Sequence, residues 1–242
     1  YLSPATLKPP LYSLLVAVGF LIGGVSDAIP IAISGLCFVI LGPLAYLTGR
    51  DIHNYKAGHA AAALSLTIPY VFRYSAVGLS DMLFTVVTVG ALYAAIREDT
   101  HPVTIGVLLG LAYLTRANVV FLLPAVGLYL FATRGFKPTA MTTISVPLTA
   151  SPWWIRNTIV AGTPFPSDQI YHIVSGTETW PHPSGLRNSD QIDILNFVIT
   201  HPDEILMKAV RGVELTLARL PNRYGIVLSM ITVGAVALCF KF

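Results

Sequence analysis

The chain has 242 residues, is 54% hydrophobic and only 11% charged, and carries a formal net charge of +3 with a mean hydropathy of +0.69. An ordinary soluble domain is roughly 25% charged, so this chain lacks the polar residues to cover a water-facing surface, a need that a bilayer as solvent removes. The small net charge, scattered rather than striped, argues against nucleic acid as a partner.

A helix crossing hydrocarbon needs about 20 apolar residues. Apolar stretches occur at 9–24, 30–48, 57–72, 81–96, 102–115, 117–131, 139–152 and 224–240. The first is ambiguous, being able to span or to lie along the interface. The pattern predicts an all-α, polytopic transmembrane bundle of about seven spans with one external loop domain. Its expected parts are a core over 1–152, an external loop with an amphipathic helix over 153–223, and a further transmembrane helix over 224–242.

Lys and Arg in short loops set orientation. Alternate connections carry Arg50 and Lys56, Arg97, Arg134 and Lys137, and Lys241, which marks them as cytoplasmic. A single helix over 102–131 would put Arg97 and Arg134 on opposite sides. The rule therefore predicts two short helices meeting at Arg116, which then sits below the outer surface beside protein or a water-filled cavity.

The segment 153–223 reads differently. It holds turn clusters at 162–167 and 181–185, a possible cap at Asp190, and a helix start at His201–Pro202 followed by two acids. Ile205, Leu206, Ala209, Val213 and Leu217 then recur at helical spacing opposite Lys208, Arg211 and Glu214, as in a helix lying on a membrane surface.

Few residues are suited to chemistry. Asp81 opens a span on the external side, either as a helix-start acid or as a functional carboxylate at the membrane boundary. Lys8 is followed by two prolines that fix the backbone and hold its position; on its own, a lysine flanking an apolar segment reads as an interfacial anchor. Arg73, Arg116 and Arg156 fall on the same external face, where short loops are ordinarily poor in arginine. Three converging cations suit a phosphate, which arginine binds in fork geometry; the alternative is separate structural roles, with Arg116 paired to Asp81 and the others snorkelling. Trp153 and Trp154 fit an aromatic belt, which does not account for Arg156 and Asn157 beside them. His172, His182 and Glu178 lack the spacing of a metal site, so nothing in the sequence supports a divalent metal and none of its motifs points to a cofactor. Cys37 and Cys239 lie in apolar stretches, against a disulfide framework. No glycine-rich phosphate loop, nucleophile elbow, CxxC or HExxH pattern is present.

LysProProLeuTyr at 8–12, SerAsp at 80–81, GlyLeuAlaTyrLeuThrArg at 110–116 and ProTrpTrpIleArgAsn at 152–157 occur in an order that resembles the C-type glycosyltransferases using a polyprenyl-phosphate sugar. The nearest likeness is to the protein mannosyltransferase and aminoarabinose transferase superfamily, over about residues 6–225. The resemblance implies an integral enzyme of the cell (plasma) membrane with its active site on the external or periplasmic face. It implies inverting transfer of a sugar from the lipid-phosphate donor to a protein, lipid or glycan acceptor, with a carboxylate as base and cations offsetting charge on the departing phosphate. Lys8 matches a donor-phosphate contact and Asp81 a second acid. Arg116 and Arg156, with Arg73 as a weaker candidate, fit as further phosphate-binding or cavity-lining cations. The same pattern makes 9–24 a juxtamembrane segment.

In that family the principal acid and the first span precede the Lys-Pro-Pro motif, whereas Asp27 follows it here. The chain also begins at Tyr1 without a signal sequence and stops at Phe242 directly after an apolar stretch. We therefore expect it to continue in both directions, with the main base upstream of Tyr1, and to be inactive alone. A transporter or flippase of an amphiphilic anion also needs cations in a cavity, but the chain shows no related halves. A non-catalytic membrane subunit is the third reading.

Overall fold

A computed structural model describes residues 8–164, 174–181 and 194–224, and every regular element among them is helical. The chain divides into two compact units, 1–165 and 166–242.

In the first unit, α1 (Leu11–Gly23) has 13 residues, about 20 Å at 1.5 Å each, short of a core of roughly 30 Å. α2 (Ala28–Ile52) has 25 residues, about 38 Å. Among the described residues, α2 alone combines the length and apolarity needed to cross a membrane.

The stretch 57–72 is not one helix. α3 (Tyr55–Thr67) stops where Ile68 turns extended, φ −64° and ψ 116°, because the ring of Pro69 disfavours helical backbone in the residue before it. Pro69 then opens α4 (Pro69–Ser75), a position where its missing N–H costs nothing. α4 and α5 (Ser80–Ile96) meet at 117° and together make a second candidate crossing, broken or re-entrant.

α6 (Pro102–Thr115) ends at Arg116, which is extended with φ −153° and ψ 129°. A 3-10 turn (Ala117–Phe121) leads into α7 (Leu123–Arg134). The break expected at Arg116 is thus present. α8 (Phe136–Ala161) runs unbroken through Pro147 and Pro152, so the helix that contains the 139–152 stretch carries the tryptophans and Arg156 as well.

Two apolar clusters hold this unit. Cys37 and Leu41 of α2 bury Met82 of α5. Ala91, Ala94, Ile105, Leu109, Ala112, Val126, Leu130 and Val146 join α5, α6, α7 and α8. α6 and α8 approach closely through Gly106 and Gly110, spaced four apart as in the small-xxx-small pattern of membrane helices. A β-carbon on Gly106 would lie 2.5 Å from Cβ of Ser145, and one on Gly110 2.5 Å from Cβ of Thr149. Leu36, Val39, Ile144 and Leu148 instead point outward and are more than half exposed, an apolar exterior suited to lipid.

At one end of the unit the orienting arginines have partners. Arg97 grips Asp99 through Nε and Nη2 at 2.9 and 2.7 Å, and this pairing holds the Asp99 carboxyl below the usual carboxylate range. Arg134 donates to the carbonyls of Ala95 (2.8 Å), Thr100 (2.9 Å) and Arg97. It thereby satisfies acceptors that the end of α5 leaves open, and it places Arg97 and Arg134 together as the charge pattern required. Charge-assisted hydrogen bonds contribute roughly 1.5–3 kcal/mol. We expect Arg134→Met to lower the melting temperature of the purified protein by several degrees, and Arg134→Lys to recover only part of the loss.

In the second unit, Val174 and Phe197 are buried against Trp180 and Ile205, joining the 174–181 turn to α9 (Ile194–Thr200) and α10 (Pro202–Tyr224). The Glu204 carboxylate accepts from the Thr179 amide at 3.0 Å and its hydroxyl at 2.7 Å, which lowers its pKa from the ordinary value. The helix start at Pro202 is therefore as expected, with both acids in its first turn. Leu206, Val210, Val213 and Leu217 form an exposed apolar stripe along α10. Asp190, His172, His182, Cys239, Lys241 and the stretch from 225 onward lie outside the described residues.

Candidate functional site

The chain approaches Asp81 through a turn that only glycine fits. Gly78 has φ +66°, and a β-carbon there would lie 3.1 Å from Cβ of Pro30 and 3.2 Å from the amide nitrogen of Ile31. This close approach sets Leu79, the extended residue before α5, against the start of α2. Asp81 falls in the first turn of α5, where the helix dipole favours a carboxylate. Met82 beside it is 2% exposed and anchors the turn in the core.

Arg116, at the end of α6, pairs through Nη1 with Oδ1 of Asp81. Both side chains remain about one-third exposed. An ion pair so accessible contributes roughly 0–1 kcal/mol to stability, so structure alone gives little reason to keep the two charges here. The pairing itself is the one that the structural alternative anticipated.

Lys8 is exposed and lies one turn before Tyr12 in the first turn of α1. The Tyr12 hydroxyl donates to the Pro30 carbonyl at 3.2 Å and lies 3.4 Å from Oγ of Ser34. Ser34, fully buried, donates in turn to the Leu79 carbonyl at 3.2 Å. The 8–12 motif is thus joined through α2 to the start of α5.

The remaining motifs meet on α6 and α8. Trp154 Nε1 donates to the Tyr113 hydroxyl at 2.9 Å, with the rings edge to face at 5.6 Å. Arg156 lies over the Trp153 ring at 4.8 Å and donates to Oδ1 of buried Asn157 at 3.1 Å. Trp153 therefore supports a cation, a role that an aromatic belt does not supply. Arg73 sits exposed in the last turn of α4 and joins no ion pair among the described residues.

Contacts thus link all four motifs at the same end of the unit, opposite the end that holds Arg97 and Arg134. Ser34, Tyr12 and Tyr113 were not singled out in sequence. Tyr12 and Tyr113 stand inside two of the motifs, and Ser34 is a lone hydroxyl in an apolar stretch, a faint signal. Among the described residues no group of three or more His, Cys, Asp or Glu is placed to hold a metal.

Residues 7–155 match the model of the family described as dolichyl-phosphate-mannose-protein mannosyltransferase. No curated protein and no solved structure matches the chain.

Proposed function

The chain belongs to the dolichyl-phosphate-mannose-protein mannosyltransferase family, and we propose that the linked motif end is its lipid-phosphate sugar site. Members are membrane-embedded glycosyltransferases acting on a lipid-linked sugar. In this reading the donor is a polyprenyl-phosphate sugar, the site opens on the external face of the plasma membrane, and transfer to a protein, lipid or glycan acceptor inverts the anomeric centre. The bundle crosses about seven times, with short helices such as α6 and α7 meeting below the surface.

The supporting observation is that Asp81 and Arg116 pair at the end to which Tyr12 and Trp154, neighbours in sequence of Lys8 and Arg156, are tied by hydrogen bonds. Lys8 contacts the donor phosphate. Arg116 and Arg156 offset charge as the phosphate departs, and Arg73 adds long-range attraction for the anion. Asp81 is an acid facing the same cavity, holding Arg116 until the donor arrives.

The test is sugar transfer from a polyprenyl-phosphate donor, measured in membranes containing the native-length protein. Lys8→Ala is expected to raise the donor KM and Asp81→Asn to slow turnover, each lowering kcat/KM at least tenfold. Wild-type rates in both variants would refute these roles.

A further inference from the structure

Position matters for Lys8 because its own surroundings do little to fix it. It is exposed, and none of the side chains of α1 is fully buried, so apolar packing holds that helix only loosely. At its far end Gly19 and Gly23 lie against Ile29. At the Lys8 end the directional tie is polar.

The proton inventory gives this tie a direction. Ser34 has one hydroxyl proton, and it is committed to the Leu79 carbonyl. The Tyr12 hydroxyl is therefore the donor on its side, its single proton directed to the Pro30 carbonyl at 3.2 Å and shared with Oγ of Ser34 at 3.4 Å. Ser34 is 0% exposed, so water does not replace either partner. Pro9 and Pro10 stiffen the short link from Tyr12 back to Lys8, while Leu79 leads directly into the turn that carries Asp81.

We propose that Ser34 and Tyr12 are positioning residues that hold the Lys8 segment in register with the Asp81–Arg116 pair. This rests on the donor-phosphate role assigned to Lys8. They touch no substrate; they act by keeping a cation on one element and an ion pair on two others at a fixed separation. Misplacement of a reacting group by about 1 Å costs on the order of 100-fold in rate.

The test uses the native-length enzyme and the same transfer assay on Tyr12→Phe, Ser34→Ala, Lys8→Ala and the Ser34→Ala/Lys8→Ala double variant, with melting temperatures measured alongside. Tyr12→Phe removes one oxygen and keeps the ring, which guards against a folding failure at Ser34. The expected result is a roughly tenfold to hundredfold loss of kcat/KM in both single hydroxyl variants, carried mainly by donor KM. In the Lys8→Ala background the Ser34→Ala loss should vanish, because the group it positions is gone. Equal Ser34→Ala losses with and without Lys8 would show a merely structural role and overturn the proposal. Unimpaired hydroxyl variants beside a slow Lys8→Ala would overturn the positioning alone. Lys8→Ala at the wild-type rate would overturn both the positioning and the donor contact.

Discussion

Replacing Arg116 with glutamine is expected to lower the turnover number for sugar transfer by roughly 100- to 1000-fold, the usual cost of removing a donor aimed at developing charge. Arg116 is fixed by the extended end of α6 and by Asp81, yet stays about one-third exposed, open to an incoming anion. The magnitude separates its two possible roles. A loss of 100- to 1000-fold is about 2.7–4 kcal/mol, whereas an accessible ion pair is worth about 0–1 kcal/mol. If Arg116 only braced Asp81, the variant would melt slightly earlier and turn over almost normally. A charge exchange, Asp81→Lys with Arg116→Glu, sharpens the distinction. It keeps an attractive pair but removes the cation from the α6 position. A structural pair predicts recovery, and the proposed phosphate contact predicts continued inactivity.

Valine at Gly110 is expected to abolish most activity by a different route. A β-carbon there meets Cβ of Thr149 at 2.5 Å and its Cγ2 at 2.9 Å, so α6 and α8 must separate. Overpacking of this kind costs roughly 1–3 kcal/mol, and the strain falls one turn from the Tyr113–Trp154 bond. Arg116 and Arg156, carried by the two helices, then lose their common placement, with an expected rate loss on the order of 100-fold. Two controls separate local packing from general intolerance. Gly127→Ala on α7, where a β-carbon meets nothing within 4 Å, should leave transfer and melting nearly unchanged. Gly110→Ala combined with Thr149→Gly should restore much of what Gly110→Ala loses; no recovery would sink the packing argument.

Sequence showed where the chain is apolar, but not how each apolar stretch is divided. The 57–72 stretch reads as one apolar segment, yet Pro69 breaks it at Ile68. The stretches 102–115 and 117–131 are interrupted by Arg116 alone, so one long helix was the alternative. The placement of Arg97 and Arg134 favoured a break there, and the two residues do meet through the Arg97 carbonyl. Arg134 was legible as an orientation marker, but its carbonyl partners were not, since they belong to the end of α5 and the loop after it. Similarly, Trp153 and Trp154 read alike as belt residues, whereas one lies under Arg156 and the other hydrogen-bonds Tyr113.

By itself, then, the sequence determined the solvent, the helical class and the end of the molecule to examine. These follow from composition and from the spacing of charges along the chain, which are local properties. The tertiary structure decided which charges are partners. Asp81 and Arg116 are 35 positions apart, and Ser34 and Leu79 are 45 apart. No local rule brings such residues together. Their contacts depend on how closely one helix can approach another, and that is set by Gly78 against Pro30 and by Gly106 and Gly110 against α8, where the absence of a side chain makes the contact possible.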